Sequence, residues 1–570
     1  MNHTSVLRTP LDAAKFTCRG VRRLPFASGA YRTTRKQSLI QSPVLSSPAP
    51  FNELVGSWNA LLPPGAKLVM EARALVGRAW TPWYLLGSAT GRPGRRLEFS
   101  SPDSQADKYG HVDKDTLILK SPAHAFQYRL KFTTPSRPAT LLLAAATISD
   151  SRESPPQPPP WKPGPWVRNL QVTGRSQRTA PEAYQNDICS PTSVSAVLDY
   201  WGTRRAIVDM ADRVRDRTTG DFGNWTFNMA AAGALGLEGF VARLESLDDL
   251  AAEVAAGRPV VVSVGFGPGE LRGAPIKKTA GHLMVVTGFT AQGDVIVMDP
   301  AGRTARQTRR VYRRSEFHRA WRVNKRGLAY LLCPLVKGCR LTAGVPAADL
   351  RRGRGSPGRV SQLLYGEKAT ALAAAGGWIR VSADEQAHLD RDGVWRGYPG
   401  WARAAEFSGA LAPAAPATAP ALAGPARRRL ILKTAESFLG LRYRWGGRSH
   451  IQGMDCSGLS NLAYRAAGLD LPRDAHDQHL RCRPVSRRGL KPADLVFLSA
   501  GPGSQRITHV MIYSGGEELI ESRQTAGRVL RCTFADRFGI PLSGLESGQT
   551  VTDNTSARPR RRRIFFGSCF

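Results

Sequence analysis

Long apolar runs, paired cysteines and acidic residues are all scarce in this chain of 570 residues. No window comes near the roughly 18 uninterrupted apolar residues of a membrane-spanning helix, so we expect no membrane span. The eight cysteines include no CxxC pair and no Cys/His cluster with zinc-finger spacing, which argues against a disulfide scaffold and a structural metal. Individual thiols therefore become candidates for chemistry.

The shortage of acidic residues leaves a strongly basic chain, with 80 Lys and Arg against 45 Asp and Glu and a net charge of +35. Such a balance favours acidic partners, including nucleic acid, anionic lipid and acidic cell-wall polymers. The charge is spread over most of the chain and is dense only at Arg558–Arg563. Because no nucleic-acid-binding motif accompanies it, we expect no specific nucleic-acid partner.

The N-terminal segment bears on the cellular compartment. Its first residues are basic but lack the continuous apolar core, about 7–15 residues long, of a secretory signal peptide. We therefore expect a cytoplasmic protein, or one exported from a start other than the recorded one, and the compartment stays open.

A chain of 570 residues is too long for one hydrophobic core, so we expect several domains. The 42% of apolar residues is enough to build cores, which excludes a wholly disordered protein. Short alternating runs predict a β-sandwich, and proline-rich or alanine-rich stretches predict linkers. The predicted architecture is multidomain α+β, with a disordered leader (1–50), a β-sandwich (51–150), a Pro-rich linker (151–165), a mixed α/β domain (166–336), a small β-barrel (337–408), an Ala/Pro linker (409–425), a second mixed α/β domain (426–535) and a basic tail (536–570).

A predicted helix start at Cys456 is the first candidate for chemistry. The apolar residues that follow it keep the spacing of one helix face, and Asp455 stands at the N-cap position. The positive end of a helix dipole favours a thiolate, which is the nucleophilic form of cysteine. Cys456 is therefore a candidate nucleophile.

His509 and Glu521 could supply the base that such a nucleophile needs. The segment Ile507–Glu521 has the pattern of a strand, a turn at two glycines, and a second strand. The two residues lie equally far from the turn, so an antiparallel hairpin would place them face to face. The imidazole could then accept the Cys456 proton while Glu521 orients its other nitrogen.

The C-terminal region resembles the NlpC/P60 cysteine peptidases. The matching motifs are Tyr443–Gly447 (YRWGG), Asp455–Leu459 (DCSGL), Leu471–Arg473 with Gln478, Lys491–Phe497 (KPADLVF) and His509-Val510. The resemblance implies a papain-like fold that cleaves murein peptides, typically between D-γ-glutamate and the following diamino acid. It makes Cys456 the nucleophile, His509 the base and Glu521 the third polar group, a position more often held by histidine. It also places Tyr443 beside the cysteine.

The β-rich segment Ser361–Trp401 resembles a bacterial SH3 (SH3b) domain. An SH3b domain ahead of an NlpC/P60 unit is similar to the arrangement of the murein-recycling dipeptidyl-peptidases. That likeness implies that Asp455 and Ser457 bind the free amine of an N-terminal L-Ala. It further implies that Glu367 and Tyr398 reach the site.

A second Cys, His, Asp order occurs in the first mixed domain. Cys189 opens a predicted helix, while His282 and Asp299 lie about equally far from a turn between two strands and should also face each other. The region resembles the C39-like peptidases, in which a glutamine ahead of the cysteine helps to form the oxyanion hole. That glutamine would be Gln185, which lies four residues before the cysteine, closer than usual.

Two other classes of function stay open. One is a wall-binding scaffold with idle thiols, and the other is a cysteine acyltransferase, because papain-like relatives transfer acyl groups to amines. Murein-derived peptides are the expected partners of the leading hypothesis, and acidic cell-wall polymers are a further candidate. No cofactor or metal is implied, since His476 and His479 lack an evident third ligand, and we expect a monomer.

Overall fold

The computed structural model describes residues 3–24, 29–102, 105–155, 157–158, 160–161, 163–164, 166–334, 336–409, 423–555 and 558–570. Contacts divide the chain into two compact units. The first comprises Met1–Cys339 and Ser408–Leu411, and the second comprises Arg340–Phe407 and Ala412–Phe570. Throughout the described part of the chain, every helix is too short or too polar to cross a bilayer.

The first unit begins with a sheet of 13 strands. The strands are β1 (His3–Leu7), β2 (Thr17–Arg19), β3 (Val21–Arg23), β4 (Tyr31–Thr33), β5 (Gln37–Gln41), β6 (Leu45–Leu61), β7 (Lys67–Val76), β8 (Ala79–Trp80), β9 (Tyr84–Arg92), β10 (Arg96–Ser100), β11 (Gly110–Asp113), β12 (Thr116–Thr133) and β13 (Thr140–Ser149), with a short helix α1 (Pro10–Ala13) after β1. The main path runs β10-β9-β7-β12-β6-β13-β4-β3. The region predicted as a β-sandwich is β-rich, and hydrogen bonds join its 13 strands because β6 and β12 are long enough to pair with different neighbours along their two halves.

Residues 3–50 correct the prediction of a disordered leader. They supply β1 to β5 and the start of β6, and β1 pairs antiparallel with β13 from His3 opposite Ile148 to Leu7 opposite Ala144. Val6, Leu7 and Ile40 are buried, and the Tyr31 hydroxyl donates to the Ala13 carbonyl oxygen at 2.6 Å. Small polar residues such as Thr4, Thr33 and Ser38 occupy buried positions alongside the apolar ones, so the leader's composition hides its alternation.

The second part of this unit is a six-stranded sheet with helices. Its elements are α2 (Cys189–Tyr200), α3 (Ile207–Val214), α4 (Trp225–Ala234), β14 (Leu237–Arg243), α5 (Leu247–Ala255), β15 (Val260–Phe266), β16 (Thr279–Phe289), β17 (Val295–Met298), β18 (Arg309–Tyr312), α6 (Arg314–His318) and β19 (Leu328–Pro334). The strand order is β14-β19-β15-β16-β17-β18. The cysteine helix α2 packs across β16, which carries the candidate histidine.

The 13-stranded sheet and these helices share one hydrophobic core. Phe227 of α4 stacks on Phe99 with ring centroids 4.5 Å apart and meets Trp58 edge to face. The buried Asp115 carboxylate accepts a hydrogen bond from the Thr226 backbone N–H at 2.9 Å, at the start of α4. The sheet is therefore part of the same folding unit as the helices, not an independent module.

The predicted linker 151–165 leads from the sheet to this second part. Its described residues form neither helix nor strand, as expected for a proline-rich segment. Trp161 nevertheless packs on Phe289 with ring centroids 5.4 Å apart, and its indole N–H donates to the Ala291 carbonyl oxygen at 3.0 Å. Trp161 thus anchors the segment to the domain surface.

The second unit starts with a seven-stranded sheet. Its strands are β20 (Arg340–Ala343), β21 (Ala347–Arg351), β22 (Arg359–Leu364), β23 (Lys368–Ala375), β24 (Trp378–Leu389), β25 (Trp395–Arg403) and β26 (Phe407–Ser408). The order is β22-β21-β25-β24-β23-β20-β26, and pairing over the described residues follows an open path, where the sequence predicted a barrel. The predicted linker 409–425 lies outside the described residues from 410 to 422.

The C-terminal domain surrounds a second seven-stranded sheet. Its elements are α7 (Gly424–Ser437), β27 (Arg448–Ser449), β28 (Gly453–Met454), α8 (Cys456–Ala466), α9 (Ala475–Arg481), β29 (Arg483–Pro484), β30 (Leu495–Ser499), β31 (Ile507–Gly515), β32 (Glu518–Arg523), β33 (Arg528–Thr533), α10 (Phe534–Phe538), β34 (Thr550–Asp553) and β35 (Arg560–Ser568). The main path is β29-β35-β30-β31-β32-β33, and β34 pairs with β35.

The segment 536–570 corrects two predictions. It is not a basic tail, because β35 lies between β29 and β30 and buries Ile564 and Phe566. A disulfide joins Cys482, beside β29, to Cys569, beside β35, although the sparse cysteines had argued against one. The two cysteines are 87 positions apart, so no short-range spacing could reveal the bridge.

The bridge should stabilise the C-terminal domain. Closing a loop of 87 residues contributes about 4–5 kcal/mol in the chain-entropy description. Cys569→Ser in the full chain should therefore speed hydrogen exchange at the amides of β35 and its partner β30, while Cys18→Ser, which removes an unbridged thiol, should not. Unchanged exchange in β35 for Cys569→Ser would contradict the prediction.

Candidate active sites

Cys456 opens helix α8, as predicted. Asp455 caps the helix, since its carboxylate accepts a hydrogen bond from the Gly458 backbone N–H at 2.7 Å. The chain is closely packed here, because a Cβ at Gly458 would lie 2.3 Å from the Gly447 carbonyl oxygen. The Cys456 thiol contacts the His509 ring closely enough to raise the pKa of the imidazole, so the helix end and the imidazole meet at one sulfur atom.

The His509 imidazole lies between the thiol and a carboxylate. Its Nε2 is 2.6 Å from Glu521 Oε2, which leaves Nδ1 for Cys456. Burial alone would lower the pKa of His509, but Cys456 and Glu521 overcome that effect and raise it to about 9. The geometry therefore favours an imidazolium beside the sulfur at neutral pH.

The hairpin places His509 and Glu521 diagonally, not directly opposite. Pairing runs through Ile512 opposite Ile520 and is interrupted near Gly515, which shifts the register from the symmetric one expected. The contact still forms because both side chains lie on one face of the sheet, and long side chains span a diagonal pair.

Glu521 is a buried anion held by cations. Arg523 donates two hydrogen bonds to Oε1, at 2.9 and 2.5 Å, and Arg537 Nε lies 3.3 Å from the same atom. Burial would raise the pKa of Glu521, but His509 and the two arginines hold it well below its usual range. The carboxylate is therefore charged under all ordinary conditions.

The last strands supply a further layer that the sequence analysis missed. Asp553 of β34 accepts hydrogen bonds from Arg537 at 2.6 Å and from Arg562 of β35 at 3.2 Å. Arg562 also donates to the Thr508 hydroxyl, next to His509. The apolar run Ile564–Phe566 was the available sign that this segment is a strand and not a solvated tail.

Arg473 is hydrogen-bonded to Asp455 and Ser457, the two residues expected to bind a substrate amine. Its guanidinium donates to Asp455 Oδ2 at 2.8 Å and to the Ser457 hydroxyl at 2.9 Å, and it is buried. Tyr443 lies beside the cysteine, as the resemblance implies, because its backbone pairs with Met454, two residues before Cys456. Burial and then the charge of Cys456 raise the pKa of Tyr443.

Asp474, next along the chain, was not singled out from the sequence. The Tyr398 hydroxyl donates to its carboxylate at 3.1 Å. Burial raises the pKa of Asp474, and the neighbouring Arg473 only partly opposes that effect. Of the residues predicted in the middle sheet, Tyr398 therefore reaches this end of the site.

Glu367, the other residue predicted there, lies elsewhere. Its carboxylate accepts hydrogen bonds from Arg448 at 2.7 and 2.8 Å, and Arg465 lies 3.1 Å away. The side chain is only 5% exposed, so it joins the middle sheet to the C-terminal domain and is not presented to a substrate.

The first unit contains a second site of the same kind. Cys189 opens α2 and contacts His282, whose Nε2 is 2.7 Å from Asp299 Oδ1. The Tyr312 hydroxyl donates to the other Asp299 oxygen at 2.7 Å. Burial would raise the pKa of Cys189, but His282 lowers it. Burial would lower the pKa of His282, but Asp299 and Cys189 raise it to about 10.

Gln185, the predicted oxyanion residue, has other partners. Its side-chain amide donates to the Ala180 carbonyl oxygen at 2.9 Å. Its own carbonyl accepts a hydrogen bond from the side chain of Gln177, at 2.6 Å. Gln177 is buried, and its backbone N–H donates to the carbonyl oxygen of Pro300, the residue directly after Asp299. Gln177 therefore contacts the segment that carries the site carboxylate.

Two groups of side chains offer several metal-type ligand atoms close together. They are Glu238 with Cys333 and Cys339, and His388 with Asp474 and Asp477. In the first group Arg8 pairs with Glu238 at 2.7 Å, and in the second His388 Nδ1 lies 3.0 Å from Asp477. In each group, hydrogen bonds or ion pairs therefore already occupy one of the ligand atoms. Among the described residues, neither group includes Cys189 or Cys456.

A thiol at a helix start, an imidazole and a buried carboxylate together are the groups that a cysteine-nucleophile enzyme needs. Three family models match the chain: the NlpC/P60 family over residues 440–537, the Peptidase_C39 like family over 169–328, and the Peptidase C39 N-terminal domain over 19–149. The chain therefore carries a C39-like domain and an NlpC/P60 domain, and each contains one of the two sites.

Curated relatives are similar over limited stretches. The gamma-D-glutamyl-L-lysine dipeptidyl-peptidase of Bacillus subtilis is 37% identical over 106 residues, 19% of this chain and 36% of its own length. The peptidoglycan endopeptidase RipB of Mycobacterium tuberculosis is 32% identical over 111 residues, 17% of this chain and 44% of its own length. Both relatives are named peptidases, and the chain spans less than half of either. The solved structure of RipB is 25% identical and covers 25% of this chain and 65% of its own, with a TM-score of 0.18.

The Glu521 carboxylate should control the reactivity of Cys456. Glu521→Gln removes a charge that raises the pKa of His509, so less imidazolium is present at pH 7 to hold the thiolate. Alkylation of Cys456 by iodoacetamide, followed by mass spectrometry, should slow about tenfold, the effect of one pKa unit. Glu518→Gln on the same strand, an exposed residue paired with Arg531, is the matched control.

Glu521→Asp keeps the charge and should alkylate faster than Glu521→Gln if both variants are folded. Equal alkylation rates in the wild type and a folded Glu521→Gln variant would show that the carboxylate does not act on the thiol.

Proposed function

We propose that the C-terminal domain is a cysteine peptidase that hydrolyses murein-derived peptides at the D-γ-glutamyl–diamino acid bond. The observation that carries this proposal is the contact of Cys456, at a helix start, with an imidazole fixed by Glu521, inside an NlpC/P60 domain. The name of the Bacillus subtilis relative, which describes cleavage after D-γ-glutamate, supports the choice of bond.

The proposed reaction uses the His509 ring twice, first as an acid and then as a base. The Cys456 thiolate attacks the carbonyl carbon, and backbone N–H groups at the open end of α8 stabilise the oxyanion. Collapse of the tetrahedral intermediate expels the amine, which takes its proton from His509, and leaves a thioester on Cys456. Neutral His509 then removes a proton from water as it attacks the thioester, and the thiolate and imidazolium are restored.

The substrate's free amine would bind Asp474. A substrate ammonium at this carboxylate would receive a charge-assisted hydrogen bond and restore its ionised form, which burial disfavours. Tyr398 would contribute the neighbouring hydroxyl. Asp455 and Ser457, proposed for the same task from the sequence, would act through Arg473, which they hold in place.

Residues 340–407 would form an SH3b-type wall at this end of the cleft. The Ala387 carbonyl of β24 accepts a hydrogen bond from the Arg473 backbone N–H at 3.0 Å, and the Ser361 hydroxyl accepts one from its side chain at 2.9 Å. The wall thus touches the chain segment that holds Asp474, which would restrict the enzyme to short peptides with a free N-terminus.

The C39-like domain would be a second cysteine hydrolase with its own peptide substrate. Cys189 contacts His282, and His282 is hydrogen-bonded to Asp299, which is the order of groups that nucleophilic catalysis requires. Two thiols that both contact imidazoles disfavour the scaffold hypothesis, in which the cysteines are idle.

Specificity for a free amine predicts a strong preference between two tripeptides. L-Ala-γ-D-Glu-diaminopimelate should be cleaved at least about a hundredfold more efficiently than its N-acetylated form, because acetylation leaves the buried Asp474 without a cation. Asp474→Asn should raise KM for the free-amine peptide alone. Asp470→Asn, an exposed site nearby, is the control. Equal kcat/KM for the two peptides would sink the exopeptidase assignment.

The two cysteines should be separable by substitution. Cys456→Ala should abolish cleavage of the free-amine tripeptide in the full chain, and Cys189→Ala should leave it unchanged, because each thiol has its own imidazole. Product analysis by mass spectrometry with added glycine amide distinguishes hydrolysis from acyl transfer. Persistent cleavage by Cys456→Ala would contradict the assignment, and amide products in place of acids would select the acyltransferase.

A further inference from the structure

A cavity of about 530 Å³ lies beside the second site and is lined by arginines. Its lining residues are Arg178, Pro275, Ala301, Arg303, Gln307 and Arg310. The volume lies within the range, roughly 300–1,000 Å³, of pockets that bind small ligands. No acidic side chain is among these lining residues, so the cavity presents one sign of charge.

The cavity is connected to the site through its walls. The Ala301 backbone N–H donates to Asp299 Oδ1 at 2.9 Å, so one wall directly contacts the carboxylate that orients His282. Arg178 follows Gln177, whose N–H donates to the Pro300 carbonyl oxygen at 2.9 Å. A peptide bound across Cys189 could therefore place a neighbouring side chain in the cavity.

The three guanidinium groups have no acidic partner within the described ranges. Arg178 donates to the neutral Asn186 amide oxygen at 2.7 Å, and Arg303 is exposed. Arg310 has a buried Nε without a hydrogen-bond partner among the described residues. By contrast, Arg175 of the same domain pairs with Asp199 at 3.1 Å.

Three cations that face one cavity repel each other, and an anionic ligand would relieve that repulsion. Guanidinium groups offer paired N–H donors that match the two oxygens of a carboxylate, and the Gln307 amide adds a neutral donor. Phosphate has similar donor requirements, but the contact with Asp299 places the cavity on the path of a peptide substrate.

We propose that this arginine cavity is a specificity subsite of the C39-like domain that binds carboxylate side chains of an acidic peptide. The proposal rests on the proposed function of that domain as a peptide hydrolase. It assigns the second site a different requirement from the first, which selects an ammonium group.

Binding is tested with fluorescein-labelled hexaglutamate and the full-length Cys189→Ala protein, by fluorescence anisotropy. The triple variant Arg178→Gln, Arg303→Gln, Arg310→Gln should bind at least about tenfold more weakly, since charge-assisted hydrogen bonds are lost. Arg306→Gln, Arg309→Gln, Arg319→Gln removes the same charge from exposed residues of the same domain and is the matched control. Labelled hexaglutamine should not bind.

Equal losses of affinity in the two triple variants would overturn the proposal, because binding would then follow overall charge. Displacement by tripolyphosphate together with no affinity for hexaglutamate would assign the cavity to phosphate and overturn the peptide assignment.

Iodoacetamide labelling separates this proposal from the proposed function. Hexaglutamate should slow alkylation of Cys189 in the wild type at least about threefold and should not do so in the arginine triple variant. Binding without such protection would overturn the subsite. If Cys189 does not react with iodoacetamide at all while hexaglutamate still binds, the hydrolase function fails and the acidic ligand of the cavity stands.

Discussion

A buried negative charge beside each of the two imidazoles is the constraint on which both candidate sites depend. Removing a carboxylate from water costs several kcal/mol unless hydrogen bonds and opposite charges compensate. Glu521 obtains that compensation from His509, Arg523 and Arg537. The surrounding fold thus offsets the cost of burying the charge that orients the imidazole. The segments that carry these arginines are therefore as necessary to the geometry of the site as the cysteine helix is.

The two domains meet this requirement by different means. The C-terminal site surrounds its carboxylate with guanidinium groups, whereas the C39-like site gives Asp299 the Tyr312 hydroxyl and the Ala301 backbone N–H. Neutral donors stabilise an anion without adding charge, so Asp299 is held by fewer neighbouring cations than Glu521 is. In both cases the imidazole has a raised pKa and one ring nitrogen left for the thiol.

Local patterns predicted the parts of the sites that lie close to a helix start or a hairpin. The spacing after Cys456 and the Asp455 cap fixed the start of α8, and the hairpin placed His509 near Glu521 with an error of register only. Partners that come from distant segments of the chain could not be predicted from the sequence. Arg562 lies beyond the NlpC/P60 match, and its approach to Thr508 depends on β35 entering the middle of the sheet.

Composition misled where strands are polar on their outer side. The leader was assigned to disorder because Ser, Thr, Pro and Arg dominate it, yet Val6 and Ile40 alternate into the core. Gln185 was assigned from the resemblance to the C39-like peptidases, although it lies closer to Cys189 than is usual, and its side chain donates to Ala180 instead. The hydrogen-bond partners of a loop side chain depend on tertiary contacts, which its distance along the sequence from Cys189 does not predict.

The position of β35 between β29 and β30 has a consequence for biosynthesis. The sheet that carries His509 is incomplete until residues 560–568 have left the ribosome, since β35 pairs along the outer side of β30. The C-terminal domain consequently completes its sheet only after nearly all of the preceding chain has emerged.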